Sequence, residues 1–194
     1  MSRDIVVVGV SAGGLDAVCT ILKALPEKLG FALLIVQHRS KDSNALCEVL
    51  QTCGGRPVRE GVDKEEIEVG SVYLAPADYH LFVDGGHIEL SVDAPQFYSR
   101  PSIDLTFESV ADEYRSRAIG LVMTGANRDG ARGLRRIVDR GGLALIQDPR
   151  SAEVPVMPLA AISEVPSAEV VPLEKIAKRL CELAPLKTEG KSKR

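Results

Sequence analysis

Length, composition and charge restrict the class of protein before any motif is considered. The chain has 194 residues, of which 45% are hydrophobic and 26% are charged, as is typical of one globular domain. A formal net charge of −3 argues against a nucleic-acid binder, because such proteins present a basic surface to phosphates. No apolar run approaches the ~20 residues that span a bilayer, so we expect a cytoplasmic protein that is not membrane-embedded.

Short β-branched runs alternate with helical patterns in the first half of the chain. They predict, in order, a strand at 5–10, a helix at 14–25, a strand at 31–37, a helix at 44–52 and a short strand at 71–75. The segments 80–83 and 87–92 then predict a β-hairpin, because Asp84-Gly85-Gly86 between them suits a tight turn.

The second half continues the alternation. It predicts a helix at 103–116, a strand at 118–123, a helix carrying Leu134, Ile137 and Val138, a strand at 143–147, a proline-punctuated loop, and a last helix at 173–183. This order predicts an α/β fold: a single doubly wound, mostly parallel sheet with helices on both faces and an inserted antiparallel β-hairpin. We expect one domain over residues 1–186 and a basic disordered tail at 187–194.

The four cysteines are dispersed along the chain. Cys19, Cys47, Cys53 and Cys181 include no C-x-x-C pair, which predicts neither a zinc site nor a disulfide framework. We therefore expect reduced, partly buried thiols and no metal.

Polar side chains follow the predicted strands at the edge where open α/β sheets bind ligands, the carboxyl ends of the strands. Ser11 follows the first strand and His38 the second, while Asp129 and Asp148 follow two later strands. These are the components of a Ser-His-Asp hydrolase. The pattern by itself leaves the choice between the two aspartates open.

The turn after the first strand fits the G-x-S-x-G pattern in Gly9-Val10-Ser11-Ala12-Gly13. Small flanking residues allow a sharp strand-to-helix turn that exposes the hydroxyl, and N–H groups at a helix N-terminus can hold an oxyanion. A dinucleotide-binding loop is the less favoured alternative, because a serine stands where that motif needs its second glycine. A serine that only caps the helix is a third reading.

The sequence resembles the catalytic domain of the CheB family, the protein-glutamate methylesterases of chemotaxis receptors. Six segments carry the resemblance in order, over about residues 5–183: VVVGVSAGG, LIVQH, VYLAPADYHL, RPSID, VMTGANRDGARG and QDPRSAEVPVMPLAAI. The resemblance implies that Ser11 is the nucleophile and His38 the general base and acid. It also favours Asp129 as the third member, and it implies an oxyanion hole formed by the backbone N–H groups of Ala12 and Ala126.

The resemblance also implies a substrate and partners. The expected activity is removal of methyl esters from methylated glutamates of chemotaxis-type receptors, with deamidation of receptor glutamines as a second activity and with no metal or organic cofactor. The cytoplasmic helices of methyl-accepting receptors would bind in a cleft bordered by the loops 39–43 and 96–102, with Arg39, Tyr98 and Arg100 as cleft candidates.

The best-known family members carry a receiver domain ahead of the esterase, whereas the first strand here begins at residue 5. We therefore expect a stand-alone catalytic domain, with a separate receiver protein as a candidate partner. Two other functions stay open at this point: a non-catalytic partner module of the same fold and, less favoured, a nucleotide-binding protein.

Overall fold

A computed structural model describes residues 3–39, 45–96 and 98–186. The strands of this part of the chain are β1 Ile5–Val10, β2 Ala32–Gln37, β3 Arg59–Glu60, β4 Val72–Leu74, β5 His80–Asp84, β6 His87–Ser91, β7 Ala118–Val122, β8 Leu143–Gln147 and β9 Glu169–Val171. The α-helices are α1 Gly14–Ala24, α2 Leu46–Gly54, α3 Ile103–Tyr114, α4 Ala131–Asp139, α5 Val156–Glu164 and α6 Leu173–Leu183.

Seven of the described strands form one parallel sheet in the order β3-β4-β2-β1-β7-β8-β9. β2, β4 and β3 lie on one side of β1 and β7, β8 and β9 on the other, so β1 lies between β2 and β7 at the point where the strand order reverses. Such a point places loops from neighbouring strands around one crevice at the carboxyl edge. The predicted doubly wound α/β fold is confirmed.

The two faces of the sheet pack against different helices, as the period-2 alternation of strand side chains requires. Val6, Val8 and Val10 of β1 pack in one core cluster with α1, α2 and α6, whereas Ile5 and Val7 pack in a second with α3, α4 and α5. The same alternation in β2, continued one residue beyond each strand, assigns Ser11 and His38 to the face covered by α3.

The predicted hairpin is also present, as the separate antiparallel pair β5–β6. Gly85 and Gly86 form its turn with φ of 55° and 79°, a region that a residue with a Cβ adopts at a cost. The hairpin packs on α3, where the Thr106 hydroxyl donates to the Leu81 carbonyl at 2.7 Å. This contact ties the first turn of α3 to the hairpin.

Some predicted elements differ from the structure. The segment predicted as a proline-punctuated loop contains α5, which begins directly after Pro155 and carries Pro158 in its first turn. Proline is tolerated there because the first N–H groups of a helix have no intrahelical partner. The short edge strands β3 and β9 were not predicted, since two or three residues carry no readable periodicity. The predicted start of α2 at Asn44 lies outside the described residues.

The expectation of reduced thiols is wrong for one cysteine pair. Cys19 on α1 and Cys53 on α2 form a disulfide, with their Cα atoms 5.6 Å apart. The two residues are 34 positions apart, so their proximity arises from the packing of α1 against α2 and leaves no spacing signal. Cys47 and Cys181 are free and half-buried.

Two expectations concern the ends and the environment of the chain. The predicted tail at 187–194 lies outside the described residues. Among the helices of the described part, none combines the length and apolar character that crossing a membrane requires.

Candidate active site

Ser11 lies in the turn between β1 and α1. Its N–H donates to the Thr124 carbonyl at 2.9 Å, and its carbonyl accepts from the Gly14 N–H at 2.9 Å. Gly13 completes the turn with φ of 73°, the left-handed conformation that favours glycine. Ser11 is therefore fixed at the N-terminus of α1, beside the loop that follows β7.

His38 occupies the corresponding position after β2. Its N–H donates to the Val10 carbonyl at 3.1 Å, and the β1–β2 register pairs Val10 with Gln37. Ser11 and His38 are thus the next residues of two adjacent strands and belong to the same face. No hydrogen bond joins the Ser11 hydroxyl to the imidazole within the described residues, and in enzymes without substrate this bond is often long.

The Asp129 side chain is fully buried and accepts hydrogen bonds on both oxygens. His38 Nε2 lies 2.8 Å from Oδ2, which also accepts from the Ile103 N–H at 2.8 Å. Oδ1 accepts from the Asp104 N–H at 2.8 Å and from the Ser102 hydroxyl at 3.2 Å. The carboxylate therefore sits at the N-terminus of α3, where backbone N–H groups and the helix dipole favour a negative charge.

These contacts keep Asp129 ionised. Burial by itself would raise its pKa, but hydrogen bonds from His38 and from the N–H groups of Asp104 and Ile103 outweigh burial and lower the pKa below its ordinary value. An ionised carboxylate can only accept, so the bond to His38 requires a proton on Nε2 of the imidazole. Nδ1 is then the ring nitrogen left to accept a proton.

The other candidate aspartate, Asp148, caps a short turn after β8 and, within the described residues, is not part of this hydrogen-bond network. Its carboxylate accepts from the Arg150 N–H at 2.9 Å and from the Arg150 guanidinium at 2.6 Å, so it caps the short turn Pro149–Ser151. The hydrogen bond from the Arg150 side chain is the main cause that lowers its pKa. The structure brings Asp129, and not Asp148, to His38.

Backbone groups near Ser11 include those predicted as an oxyanion hole. The Gly125 N–H is engaged with the Val154 carbonyl at 2.9 Å, but within the described residues neither the Ala12 nor the Ala126 N–H donates a hydrogen bond. The loop lies tightly against the serine: a Cβ at Gly125 would be 3.0 Å from Ser11 Cβ and would collide with the Met157 sulfur. Both predicted donors therefore lie in segments that border Ser11.

A cavity of about 500 Å³ opens beside His38. Its lining residues are His38, Arg39, Asp78, Pro95, Tyr98, Ser99 and Arg100, which include all three cleft candidates. Arg100 is fixed by Asp78 at 2.6 Å and by the Val92 carbonyl at 2.6 Å, and Arg39 is held by Glu60. Tyr98 is fully exposed. Parts of the two predicted border loops, residues 40–43 and 97, lie outside the described residues.

Sequence reasoning missed two groups that shape the site. The Thr124 hydroxyl donates to the Ala12 carbonyl at 2.7 Å and accepts from the Val154 N–H at 2.9 Å, which ties the serine turn to the segment before α5. Asp104 is 2% exposed and accepts from the N–H groups of Gly130 and Gly133 at 2.9 and 2.8 Å. Both residues lie in segments that carried the family resemblance, so their position in those motifs was the available signal.

Ionisation of the buried Asp104 carboxyl lowers the stability of the folded protein. Burial is the main cause that raises its pKa from 3.8 to about 6, and the Asp129 charge adds to this, against the lowering effect of the Gly133 and Gly130 N–H groups and of Arg132. The folded chain therefore keeps the Asp104 proton to about pH 6, whereas the unfolded chain loses it near pH 4. Between these pH values the folded state binds more protons, so this group lowers stability as pH rises.

We expect Asp104→Asn to stabilise the protein at pH 8 and not at pH 4. Asparagine can keep the oxygen that accepts both N–H groups while removing the buried charge, so the free energy of unfolding should rise by about 3 kcal/mol at pH 8. Urea unfolding at the two pH values measures the difference. An equal gain at both values would contradict the assignment of the effect to this ionisation.

The fold and the three residues at its edge define a class: an α/β protein with the make-up of a serine hydrolase. The family model described as CheB methylesterase matches residues 6–180. The chain therefore belongs to the CheB methylesterase family.

Individual relatives agree with this membership. A protein from Leptospira interrogans is 40% identical over 185 residues, which cover 94% of this chain and 96% of the relative. A Pseudomonas fluorescens relative named protein-glutamate methylesterase/protein-glutamine glutaminase 1 is 38% identical over 94% of this chain, which matches 55% of that protein's length. The crystal structure of the Thermotoga maritima CheB methylesterase catalytic domain has a TM-score of 0.88 at 31% identity, and it covers 94% of this chain and 100% of that one.

Proposed function

We propose that this protein is a serine hydrolase that removes methyl esters from methylated glutamates in the cytoplasmic helices of chemotaxis-type receptors. The observation that carries the proposal is the 2.8 Å hydrogen bond between His38 and the buried Asp129, next to the strand β1 that Ser11 directly follows. Membership of the CheB methylesterase family gives the substrate class.

The proposed reaction passes through an acyl-enzyme. His38 accepts the proton of the Ser11 hydroxyl through Nδ1 as the oxygen attacks the γ-carbonyl of the methylated glutamate. The imidazolium then donates the proton that it took from Ser11 to the departing methoxide, which leaves as methanol. Water, deprotonated by the same imidazole, attacks the ester on Ser11, and the imidazolium gives that proton to the departing Ser11 oxygen, which releases glutamate and restores the free hydroxyl. Asp129 holds Nε2–H and stabilises the imidazolium.

The oxyanion of each tetrahedral intermediate would be held by the N–H groups of Ala12 and Ala126. Both lack another acceptor within the described residues, and the Ala12 N–H lies in the turn that enters α1. Pre-oriented N–H groups stabilise developing negative charge without reorganisation, and loss of one such donor costs about 10²–10³ in kcat in a characterised hydrolase.

The cavity beside His38 is proposed as the substrate cleft. Arg39 and Arg100 are both held in place by carboxylates, and Tyr98 presents an exposed ring at the entrance. An open cleft with these side chains fixed suits one side of a receptor helix, with the modified side chain directed to Ser11. A glutamine side chain fits the same chemistry, with ammonia leaving instead of methanol, so deamidation is proposed as the second activity.

Regulation is proposed to involve a separate receiver protein. This chain matches 55% of the length of the Pseudomonas fluorescens relative, so that relative has a long segment outside the matched catalytic region. A substrate in the cytoplasmic part of a receptor also places the proposed activity in the cytoplasm.

The test is methanol release from a methylated receptor cytoplasmic fragment, combined with labelling by a fluorophosphonate probe. We expect methanol release by the purified protein, and we expect mass spectrometry to find the probe on Ser11, because only an activated serine reacts. Failure of both assays would overturn the proposal in favour of a non-catalytic module. A thermal shift with NAD or ATP tests the nucleotide-binding alternative, for which a flat response is expected.

A further inference from the structure

The N-termini of α3 and α4 are capped reciprocally by two buried aspartates. Asp129, just before α4, accepts from the N–H groups of Ile103 and Asp104 at the start of α3. Asp104, in the first turn of α3, accepts from the N–H groups of Gly130 and Gly133 at the start of α4. Each carboxylate therefore satisfies N–H groups that the other helix leaves without an intrahelical partner.

This arrangement holds Asp129 at two points. The Asp104 N–H binds the Asp129 carboxylate at 2.8 Å, and the Asp104 carboxylate binds the Gly130 N–H, which belongs to the peptide bond that follows Asp129, at 2.9 Å. One residue thus fixes both the side chain and the backbone of Asp129. Within the described residues, no hydrogen bond or ion pair joins Asp104 to His38.

We propose that Asp104 is a positioning residue, which acts on the reaction only by fixing the Asp129 carboxylate against His38 Nε2. The inference rests on the proposed function, because it assigns Asp129 the role of holding the imidazole. A displacement of about 1 Å in such a group can cost about 10²-fold in rate. A residue with two hydrogen bonds on the Asp129 segment is placed to prevent that displacement.

The proposed positioning of Asp129 depends on where one acceptor oxygen of Asp104, Oδ1, lies. Asp104 Oδ1 accepts from both Gly130 and Gly133, while Oδ2 has Arg132 at 3.7 Å, and Arg132 lies closer to Glu108 at 2.7 Å. Asparagine can keep the double acceptor at the same distance from the backbone. Glutamate keeps the charge, but its extra methylene moves the carboxylate away from these N–H groups. Comparing Asp104→Asn with Asp104→Glu therefore separates the effect of the position of the acceptor oxygen from the effect of its negative charge.

The experiment compares Asp104→Asn and Asp104→Glu in steady-state methanol release and in ¹H NMR of the proton shared by His38 and Asp129. We expect Asp104→Asn to keep kcat within about 3-fold, and Asp104→Glu to lower kcat by about 30-fold with KM within about 2-fold. We also expect the downfield resonance of the His38 Nε2 proton to be kept in the first variant and shifted or lost in the second. Should Asp104→Glu not fold, Asp104→Ser takes its place, since serine is too short to reach both N–H groups.

Asp112→Asn is the matched control for the packing of α3 on α4. Asp112 lies two turns further along α3 and bridges to α4 through Arg136 at 2.9 Å and Arg140 at 2.7 Å, on the exposed side of the helices. Its loss should leave kcat and the NMR signal unchanged.

Two outcomes would overturn the proposal. The first is an unshifted resonance together with unchanged kcat in Asp104→Glu, or in Asp104→Ser where that variant replaces it. The second is an equal loss of kcat in Asp104→Asn and Asp104→Glu. The NMR arm does not require turnover. A wild-type protein that shows the resonance but releases no methanol would contradict the proposed function, while the response of the resonance to Asp104→Glu would still test the positioning role.

Discussion

Replacing Asp129 by asparagine is expected to lower kcat for methanol release by about 10³- to 10⁴-fold while the fold is kept. The carboxylate accepts from four donors, two on each oxygen, and an amide supplies only one acceptor oxygen. With the amide oxygen towards Ser102 and Asp104, its NH₂ group faces His38 Nε2 and requires the tautomer with the proton on Nδ1. That tautomer cannot accept the proton of Ser11.

The opposite orientation of the amide is also unfavourable. With the oxygen towards His38 and Ile103, the NH₂ group points at the Asp104 N–H, so two donors face each other in a fully buried site. A buried N–H without an acceptor costs about 1–3 kcal/mol. We therefore expect reduced stability together with the lower kcat, both measurable on the purified variant by urea unfolding and by methanol release.

Asp148→Asn is the control for this variant. Asp148 also follows a strand of the sheet at the same edge, but its carboxylate pairs with Arg150, and within the described part of the chain no hydrogen bond or ion pair joins it to His38. Its substitution should leave kcat within about 3-fold of the wild type, since changes away from the reacting groups have small effects on the transition state. A similar loss in both variants would contradict the assignment of Asp129.

The positions of Ser11 and His38 could be predicted because they depend on the strands alone. Once 5–10 and 31–37 are recognised as parallel strands, the residues after them must share the carboxyl edge of the sheet. The parallel register of β1 and β2 then brings Ser11 and His38 side by side. No information about the helices is needed for this step.

The third residue could not be chosen on the same basis. Asp129 and Asp148 both follow strands, and what distinguishes them is the N-terminus of α3, whose Ile103 and Asp104 N–H groups both donate to Asp129. The contact between His38 and Asp129 joins positions 91 residues apart. The family resemblance favoured Asp129, but the physical reason lies in tertiary packing that periodicity does not encode.

Asp104 and the disulfide show the same limit. The RPSID segment was recognised as a motif, yet the role of its aspartate depends on N–H groups of α4. Likewise, the bond between Cys19 and Cys53 depends on how α1 packs against α2. In contrast, α5 was missed for a local reason, since prolines near a helix start read as a loop.

Ser11→Ala is expected to lower methanol release by at least ~10³-fold and to abolish fluorophosphonate labelling. Alanine removes the attacking oxygen but leaves the turn intact, because the Ser11 backbone makes the hydrogen bonds to Thr124 and Gly14. We therefore expect an unchanged fold and unchanged unfolding, and an inactive protein whose cleft still binds the methylated fragment. Rapid-quench measurement of methanol gives the residual rate.

The control is Ser116→Ala, which removes one hydroxyl from the turn before β7, at the opposite end of the sheet from Ser11. Its methanol release and labelling should match the wild type. If Ser11→Ala kept the wild-type rate, the reaction could not pass through an ester on this residue, and the hydrogen-bonded His38 and Asp129 would have to activate water directly. A loss confined to Ser11→Ala would instead mean that the proton accepted by His38 comes from this hydroxyl, because the alanine variant keeps the imidazole, the carboxylate and the oxyanion donors in place.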